Sequence, residues 1–176
     1  LDGMPAGTPI VIVGKDFLED DIVYTRETCK NSVFYGGVFD GNKSNNQHLT
    51  NPRTAGGGDG GMHGLLLIDA INFDWHGGPV FRNNNTDGIM VWEWNSGAHI
   101  TELQNVNIFG PTCTLNDRQG ISVVRCSGGV TFHDGTFSFT GIDHTGKLPK
   151  CGIDLEPNSA DDKIKINFTG TTTSAS

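Results

Sequence analysis

Two acidic residues near the end of the chain, Asp154 and Glu156, flank a single leucine. In an extended strand, side chains two residues apart project from the same face and lie about 7 Å from each other. Carboxyl groups roughly 6.5–9.5 Å apart suit inverting glycoside hydrolysis, in which one protonates the leaving oxygen and the other activates water. The pair therefore predicts acid–base cleavage of a glycosidic bond, and a solvated acidic surface is the alternative.

A second group of candidates lies in the stretch NNTDGIMVWEWN, residues 84–95. Asp87 and Glu93 are further carboxylates that could serve as acid or base. Strand alternation directs Trp92 outward, where its flat ring could pack against the C–H face of a sugar. In the alternative, Trp92 belongs to an apolar patch that a loop or a neighbouring subunit covers, together with Leu66, Ile68 and Met90.

Three further residues could hold the charged groups of a substrate. The guanidinium groups of Arg118 and Arg125 can pair with carboxylates or phosphates, and His63 precedes a strand at the same position as Asp87. The same acids, assisted by a metal, could instead cleave a teichoic-acid-like phosphodiester. No cofactor is required, although carboxylates on neighbouring strands could bind calcium or another divalent cation.

The composition argues against several partners. The 176-residue chain has a formal net charge of −8 and no run of Lys or Arg, which argues against nucleic-acid binding. No apolar stretch is long enough to cross a membrane, so we expect no membrane insertion. The four cysteines lack the spacing of a thiolate metal site. We expect buried free thiols, with a Cys113–Cys126 or Cys126–Cys151 disulfide as the alternative.

The elements that must position these residues form a repeat. Four similar segments, each beginning with glycine, recur at intervals of roughly 30 residues: GLLLIDA, GIMVWEW, GISVVRC and GIDLEPN. Strand alternation turns the first and third residues after each glycine inward, and the second and fourth outward. The predicted inward residues are Leu65, Leu67, Ile89, Val91, Ile121, Val123, Ile153 and Leu155. The fourth, outward positions are Ile68, Trp92, Val124 and Glu156.

A second series lies between these segments, and each member ends in glycine: VFDG, FDWHG, VNIFG, FSFTG and INFTG. Its two inward columns are predicted to contain Phe73, Val106, Phe137 and Ile166, and Trp75, Ile108, Phe139 and Phe168, with Gly37 and Phe39 starting them.

Two series of short strands without helical patterns predict an all-β fold, a β-solenoid of about five coils. Residues 1–176 are expected to form a single domain that is a segment of a longer chain. The Gly- and Asn-rich residues 42–63 are expected to project from it as a loop.

Three motifs resemble the pectate-lyase-like right-handed parallel β-helix superfamily. YGGVFDGN (35–42) is similar to a GG-x-x-DGN signature of these proteins, NTDGI (85–89) to the NTDG motif of polygalacturonases, and GIDLEPN (152–158) to an element of phage tailspikes. The resemblance covers most of the chain and implies a right-handed parallel β-helix that acts on polysaccharide, with Asp87 at the position of a catalytic aspartate. The Gly-His-Gly and Arg-x-Lys motifs of polygalacturonases are absent from the sequence.

These observations favour a segment of a phage tailspike or appendage that binds and cleaves a cell-surface polysaccharide or teichoic-acid-like glycan. The expected catalytic residues are Asp154, Glu156, Glu93 and Asp87, and the expected substrate-binding residues are Trp92, Arg118, Arg125 and His63. The resemblance implies a homotrimer that is extracellular, on the virion tail. The alternatives are a secreted bacterial polysaccharide hydrolase or lyase, and a non-catalytic structural β-helix of a virion or fibre.

Overall fold

The structure, a computed structural model, describes residues 11–13, 23–25, 29–42, 63–68, 70–93, 95–96, 99–100, 103–141, 150–157 and 159–173. Within these ranges the chain forms strands and turns and contains no helix, which confirms the all-β class. Residues 43–62 of the expected projecting loop lie outside the described part.

The strands of the described ranges are mostly short. In chain order they are β1 (Val11–Val13), β2 (Val23–Thr25), β3 (Cys29–Tyr35), β4 (Val38–Asp40), β5 (Leu65–Leu67), β6 (Ala70–His76), β7 (Val80–Arg82), β8 (Ile89–Trp92), β9 (Asn95–Ser96), β10 (His99–Ile100), β11 (Leu103–Phe109), β12 (Thr112–Thr114), β13 (Gln119–His133), β14 (Thr136–Ser138), β15 (Cys151–Leu155), β16 (Ile164–Thr169) and β17 (Thr172–Thr173).

Three parallel sheets contain almost all of these strands. Sheet A has the order β1-β4-β7-β12-β14-β17. Sheet B consists of β2, β5, β8, the first half of β13, and β15. Sheet C consists of β3, β6, β11, the second half of β13, and β16. Strands β9 and β10 form a separate antiparallel pair.

After β1, the chain passes through sheet B, sheet C and sheet A in turn, five times over. Neighbouring strands in every sheet therefore come from successive rounds of the chain. This order is compatible with a β-solenoid.

The register of sheet B is the one that the first series predicts. Two rows of consecutive partners cross the sheet: Leu65, Ile89, Ile121 and Ile153, and Leu67, Val91, Val123 and Leu155. The six residues that come from β5, β8 and β13 are fully buried, and Ile153 of β15 packs against the core. Leu155 is 47% exposed, so the prediction that it belongs to the core is wrong. The physical reason is that β15 is the last described strand of sheet B, and no further strand covers its free side.

The prediction from the second series is wrong for its fourth segment, FSFTG. Val130 and Phe132 of β13, not Phe137 and Phe139, align with Val106 and Ile108 in sheet C. Phe137 is buried in sheet A instead, whereas Phe139 is 53% exposed with a positive φ. The cause is that β13 runs from sheet B directly into sheet C, whereas in the other rounds the strand of sheet B and the strand of sheet C are separate.

The start of the second series is also misplaced. Ser32 and Phe34 begin the two columns in sheet C, since they pair with Phe73 and Trp75. Phe39, which was expected there, lies in sheet A in register with Phe81.

Aromatic rings fill the centre of the early rounds. Phe39 and Phe81 stack with their ring centroids 5.1 Å apart, and Trp75 meets both edge-on at 5.4 Å. The indole N–H of Trp75 donates to the Gly36 carbonyl at 2.9 Å, so its polar atom is satisfied inside the core. The prediction that Trp75 is a core residue is confirmed.

An asparagine ladder marks a bend within sheet C. Asn31, Asn72 and Asn105 all have φ near +53°, a conformation that asparagine tolerates better than most residues. The amide of Asn72 donates to Asn31 at 2.9 Å, and that of Asn105 donates to Asn72 at 3.0 Å. These bonds run from round to round and hold the bends of three rounds in register.

Candidate functional site

Three of the expected site residues meet in a buried network before sheet B. Arg118 donates from Nε to Asp87 Oδ1 at 2.8 Å and from Nη2 to Oδ2 at 2.6 Å. His63 Nδ1 lies 3.1 Å from Asp87 Oδ2 and 3.0 Å from the Thr86 hydroxyl. The stacking of successive rounds creates this contact, because the Gly64 and Gly88 amides donate to the carbonyls of Asp87 and Gln119.

The charge of Asp87 is stabilised by these partners. Burial alone would raise the pKa of its carboxyl, but hydrogen bonds from Arg118 and His63 outweigh burial and lower the pKa below its ordinary value. The side chain is 0% exposed, and both oxygens are engaged. Catalysis by Asp87, and substrate binding by Arg118 or His63, would require the covering residues to move away.

Glu93 is held in a similar way, but by backbone groups. Its carboxylate accepts hydrogen bonds from the amides of Leu103 at 3.0 Å, Ser127 at 2.7 Å and Gly128 at 3.3 Å. The residue is buried. A Cβ on Gly128 would lie 2.0 Å from the Leu103 carbonyl, so only glycine allows the two segments to approach this closely. Glu93 therefore joins β11 to the middle of β13.

A second buried polar network escaped the sequence analysis. Asn84 donates to the side-chain oxygen of Asn116 from its backbone amide at 3.2 Å and from its side chain at 2.8 Å. The signal was present, because each asparagine stands three residues before the position that contains Asp87 or Gln119. These asparagines fix the turns that lead into β8 and β13.

The remaining candidates lie together at one end of sheet B. A bulge in β13 places Arg125, rather than Val124, beside Trp92 of β8. On the next strand, the Glu156 amide donates to the Val123 carbonyl at 2.9 Å. Val124 is buried, so the prediction that it shares an outward column with Trp92 is wrong, since alternation alone does not reveal a bulge.

We define the candidate site as Trp92, Arg125, Asp154 and Glu156. All four side chains are half-buried. Neighbouring strands lie about 4.8 Å apart, so β8, β13 and β15 bring an aromatic ring, a guanidinium group and two carboxylates to one end of the sheet. The site thus unites four of the eight residues expected from the sequence.

Arg125 is oriented by an acid that the sequence analysis did not single out. Its Nε donates to Asp162 Oδ1 at 2.6 Å, and its Nη2 contacts the same oxygen. Burial would raise the pKa of the Asp162 carboxyl, but the bonds from Arg125 and Ser159 lower it. Neither bond uses the Nη1 group of Arg125, which can donate to another acceptor.

The outward column beside the site is covered in part. Leu66, Met90, Ser122 and Asp154 are in register as predicted, but Met90 and Ser122 are fully buried. Alternation correctly assigns these residues to the second face of the sheet. Alternation does not show that this face is shielded from solvent. The apolar-patch alternative anticipates such shielding for Met90.

The described thiols are unsuited to nucleophilic or metal chemistry. Cys113, Cys126 and Cys151 are free, as expected. Burial is the main cause that raises the pKa of Cys126 and of Cys151 to about 11, and burial together with the charge of Asp87 raises that of Cys113. All three remain protonated at neutral pH.

A column of rings on the outward face of sheet C was also missed, in which Tyr35 is exposed and the other three rings are half-buried. Tyr35, His76, Phe109 and His133 are in register on the outward face, with successive ring centroids 5.6, 4.5 and 4.3 Å apart. Each stands immediately before a residue with positive φ, which in three rounds is a glycine. The repeat of an aromatic residue before a turn was the available signal.

Comparison of the chain with protein-family models, with curated proteins and with solved structures found no match. In the described ranges no helix is long and apolar enough to span a membrane. The same ranges contain no group of three or more His, Cys, Asp or Glu side chains arranged to hold a metal ion.

Proposed function

We propose that the chain is a segment of a right-handed parallel β-helix that binds an extended cell-surface glycan, as part of a phage tailspike or appendage. One observation carries this proposal. The parallel register of sheet B brings Trp92 of β8, Arg125 of β13 and Glu156, which directly follows β15, to the same end of the sheet. The sequence predicts Trp92 to stack on a sugar, Arg125 to bind substrate charge and Glu156 to act in cleavage.

The strand order supports the right-handed coil. Consecutive strands of each sheet are parallel and are joined through the other two sheets. Such crossovers between parallel strands of one sheet are right-handed in about 98% of cases, because of the twist of the strands. Five rounds spaced by about 4.8 Å would form a rod roughly 24 Å long.

The candidate site offers complementary contacts for a sugar chain. The ring of Trp92 provides an apolar plane for C–H groups, and Arg125 Nη1 can donate to a hydroxyl, a carboxylate or a phosphate. Asp154 and Glu156 can accept hydrogen bonds from hydroxyl groups. The three strands span about 10 Å, which is room for a short stretch of glycan.

Cleavage of the bound glycan would use Asp154 and Glu156. Their separation in sequence corresponds to about 7 Å on one face, the range of an inverting pair. The burial of Asp87 and Glu93 favours glycan binding, rather than glycan cleavage, as the primary activity. It also favours, as second candidate, a non-catalytic receptor-binding or structural β-helix.

A panel of bacterial capsular polysaccharides, O-chains and teichoic acids tests both activities. We expect Trp92→Ala to weaken glycan binding at least tenfold, because a central aromatic contact is lost. Glu156→Gln and Asp154→Asn should retain binding, because the amide oxygens still accept hydrogen bonds from hydroxyl groups, and should lower the release of oligosaccharide by about 10²–10⁴-fold. Phe139→Ala, which removes an exposed ring elsewhere, is the matched control.

Equal binding by the wild type, Trp92→Ala and Phe139→Ala would refute the site. Binding without any released oligosaccharide would support the non-catalytic candidate. Light scattering of the same preparations tests the proposed homotrimer, and immunolabelling of virions tests the proposed location on an extracellular tail against a secreted enzyme.

A further inference from the structure

Two buried oxygen atoms near the candidate site have no hydrogen-bond partner. They are the hydroxyl of Ser122 and the side-chain carbonyl oxygen of Gln119, and both residues are 0% exposed. Buried polar atoms in folded proteins almost always have a partner, which can be a protein group, a water molecule or an ion. Two such atoms, on residues that both adjoin the same carboxylate, indicate that something else binds them.

Both oxygens belong to residues that lie beside Asp154. Ser122 is the direct partner of Asp154 on the neighbouring strand, and strand alternation places the two side chains on the same face. The amide nitrogen of Gln119 donates to Asp154 Oδ2. The unpartnered oxygen of that amide is therefore next to the carboxylate, and Asp154 Oδ1 is left for another contact.

Carboxylates stand close to the two oxygens. Asp154 and Glu156 lie two residues apart on the same face of the chain. Gln119 is in register with Cys151, three residues before Asp154.

We propose that Asp154, Ser122 and Gln119 bind a calcium-like divalent cation that joins β15 to β13. One carboxylate oxygen, one hydroxyl oxygen and one amide oxygen form a set of hard ligands, which calcium accepts together with water. Glu156, about 7 Å from Asp154 on the same face, provides a second carboxylate directly or through water.

Calcium fits this set better than magnesium or zinc. Magnesium requires near-ideal octahedral geometry and retains its water, and zinc prefers nitrogen and sulfur ligands. The ligands here come from two neighbouring strands, so the site would stabilise the last described strand of sheet B. This role does not depend on glycan binding. A carboxylate of Asp154 that coordinates calcium cannot donate a proton, so the calcium site favours the non-catalytic candidate function.

Thermal unfolding of the purified chain tests the site, with calcium chloride as the probe and no glycan present. A calcium concentration 100 times the dissociation constant should raise the Tm of the wild type by about 5–10 °C above its value in EDTA. Asp154→Asn should abolish this rise. Magnesium chloride should produce a smaller rise.

Ser122→Ala provides a second test that does not perturb a charge. Its hydroxyl has no protein partner, so the variant should have the wild-type Tm in EDTA and a smaller rise with calcium. Asp161→Asn removes an exposed acid elsewhere and should respond like the wild type. No calcium-dependent rise in the wild type, or an undiminished rise in Ser122→Ala and Asp154→Asn, would overturn the proposal and assign the two oxygens to buried water.

Discussion

The carboxylate of Asp87 lies between the guanidinium group of Arg118 and the imidazole of His63, with no exposed surface. Asp87 and its two partners stabilise one another, because a charge buried without its counter-ion is strongly unfavourable. The residue types suit catalysis, but their geometry suits a structural role at the turn before sheet B. Sequence identifies such residues and their shared position in the repeat, and it does not reveal how deeply they are buried.

Asp87→Asn should lower the free energy of unfolding by about 3–5 kcal/mol, because it leaves the charge of Arg118 buried without a counter-ion. Arg82→Gln is the control, since Arg82 pairs with Asp40 but is 43% exposed. That change should cost about 0–1 kcal/mol. Urea denaturation measures both, and equal costs would contradict the structural role of Asp87.

Stability should also depend on pH through Asp87. Its pKa is lower in the folded chain than the ordinary 3.8, so its charge contributes fully above that value. The contribution is lost as the pH falls below 3.8 towards the lowered pKa of the folded state. Acid titrations followed by circular dichroism should show a shallower loss of stability in Asp87→Asn. An identical acid profile would argue against the ion pair.

Strand β13 explains why the elements were only partly predictable. The aliphatic columns of sheet B follow directly from the repeated glycine and the alternation after it, and they are confirmed. The segments GGVTFHDG and GTFSFTG both alternate and both end in a turn, so pattern alone cannot decide which one enters sheet C. The bulge that brings Arg125 beside Trp92 likewise leaves no mark in the hydrophobic pattern.

Two phenylalanines test the observed assignment. Phe132→Ala should lower the free energy of unfolding by about 3–5 kcal/mol, because its ring packs against Phe137 and Phe168 in the core. Phe139→Ala should change it by no more than about 0.5 kcal/mol, because the ring is largely exposed. Chemical denaturation of the two variants distinguishes the assignments, and the opposite ranking would restore the register inferred from sequence.

At the scale of the whole molecule, the rounds of parallel strands determine which distant residues meet. Trp92, Arg125 and Glu156 are separated by about 30 residues each along the chain, and neighbouring strands bring them together. A period of this length in the sequence was enough to predict the columns of sheet B, and the candidate site brings together four of the eight residues expected from the sequence. It could not predict that the face bearing Met90 and Ser122 is covered, because a pattern of alternation contains no information about what packs over it.

A crystal structure of the chain with an oligosaccharide from a glycan that it binds tests the proposed function most directly. We predict a sugar ring packed on Trp92, with polar groups within hydrogen-bonding distance of Arg125 Nη1 and of Asp154 or Glu156. An oligosaccharide bound only at another surface, such as the ring column of Tyr35, His76, Phe109 and His133, would contradict the assignment of the site to sheet B.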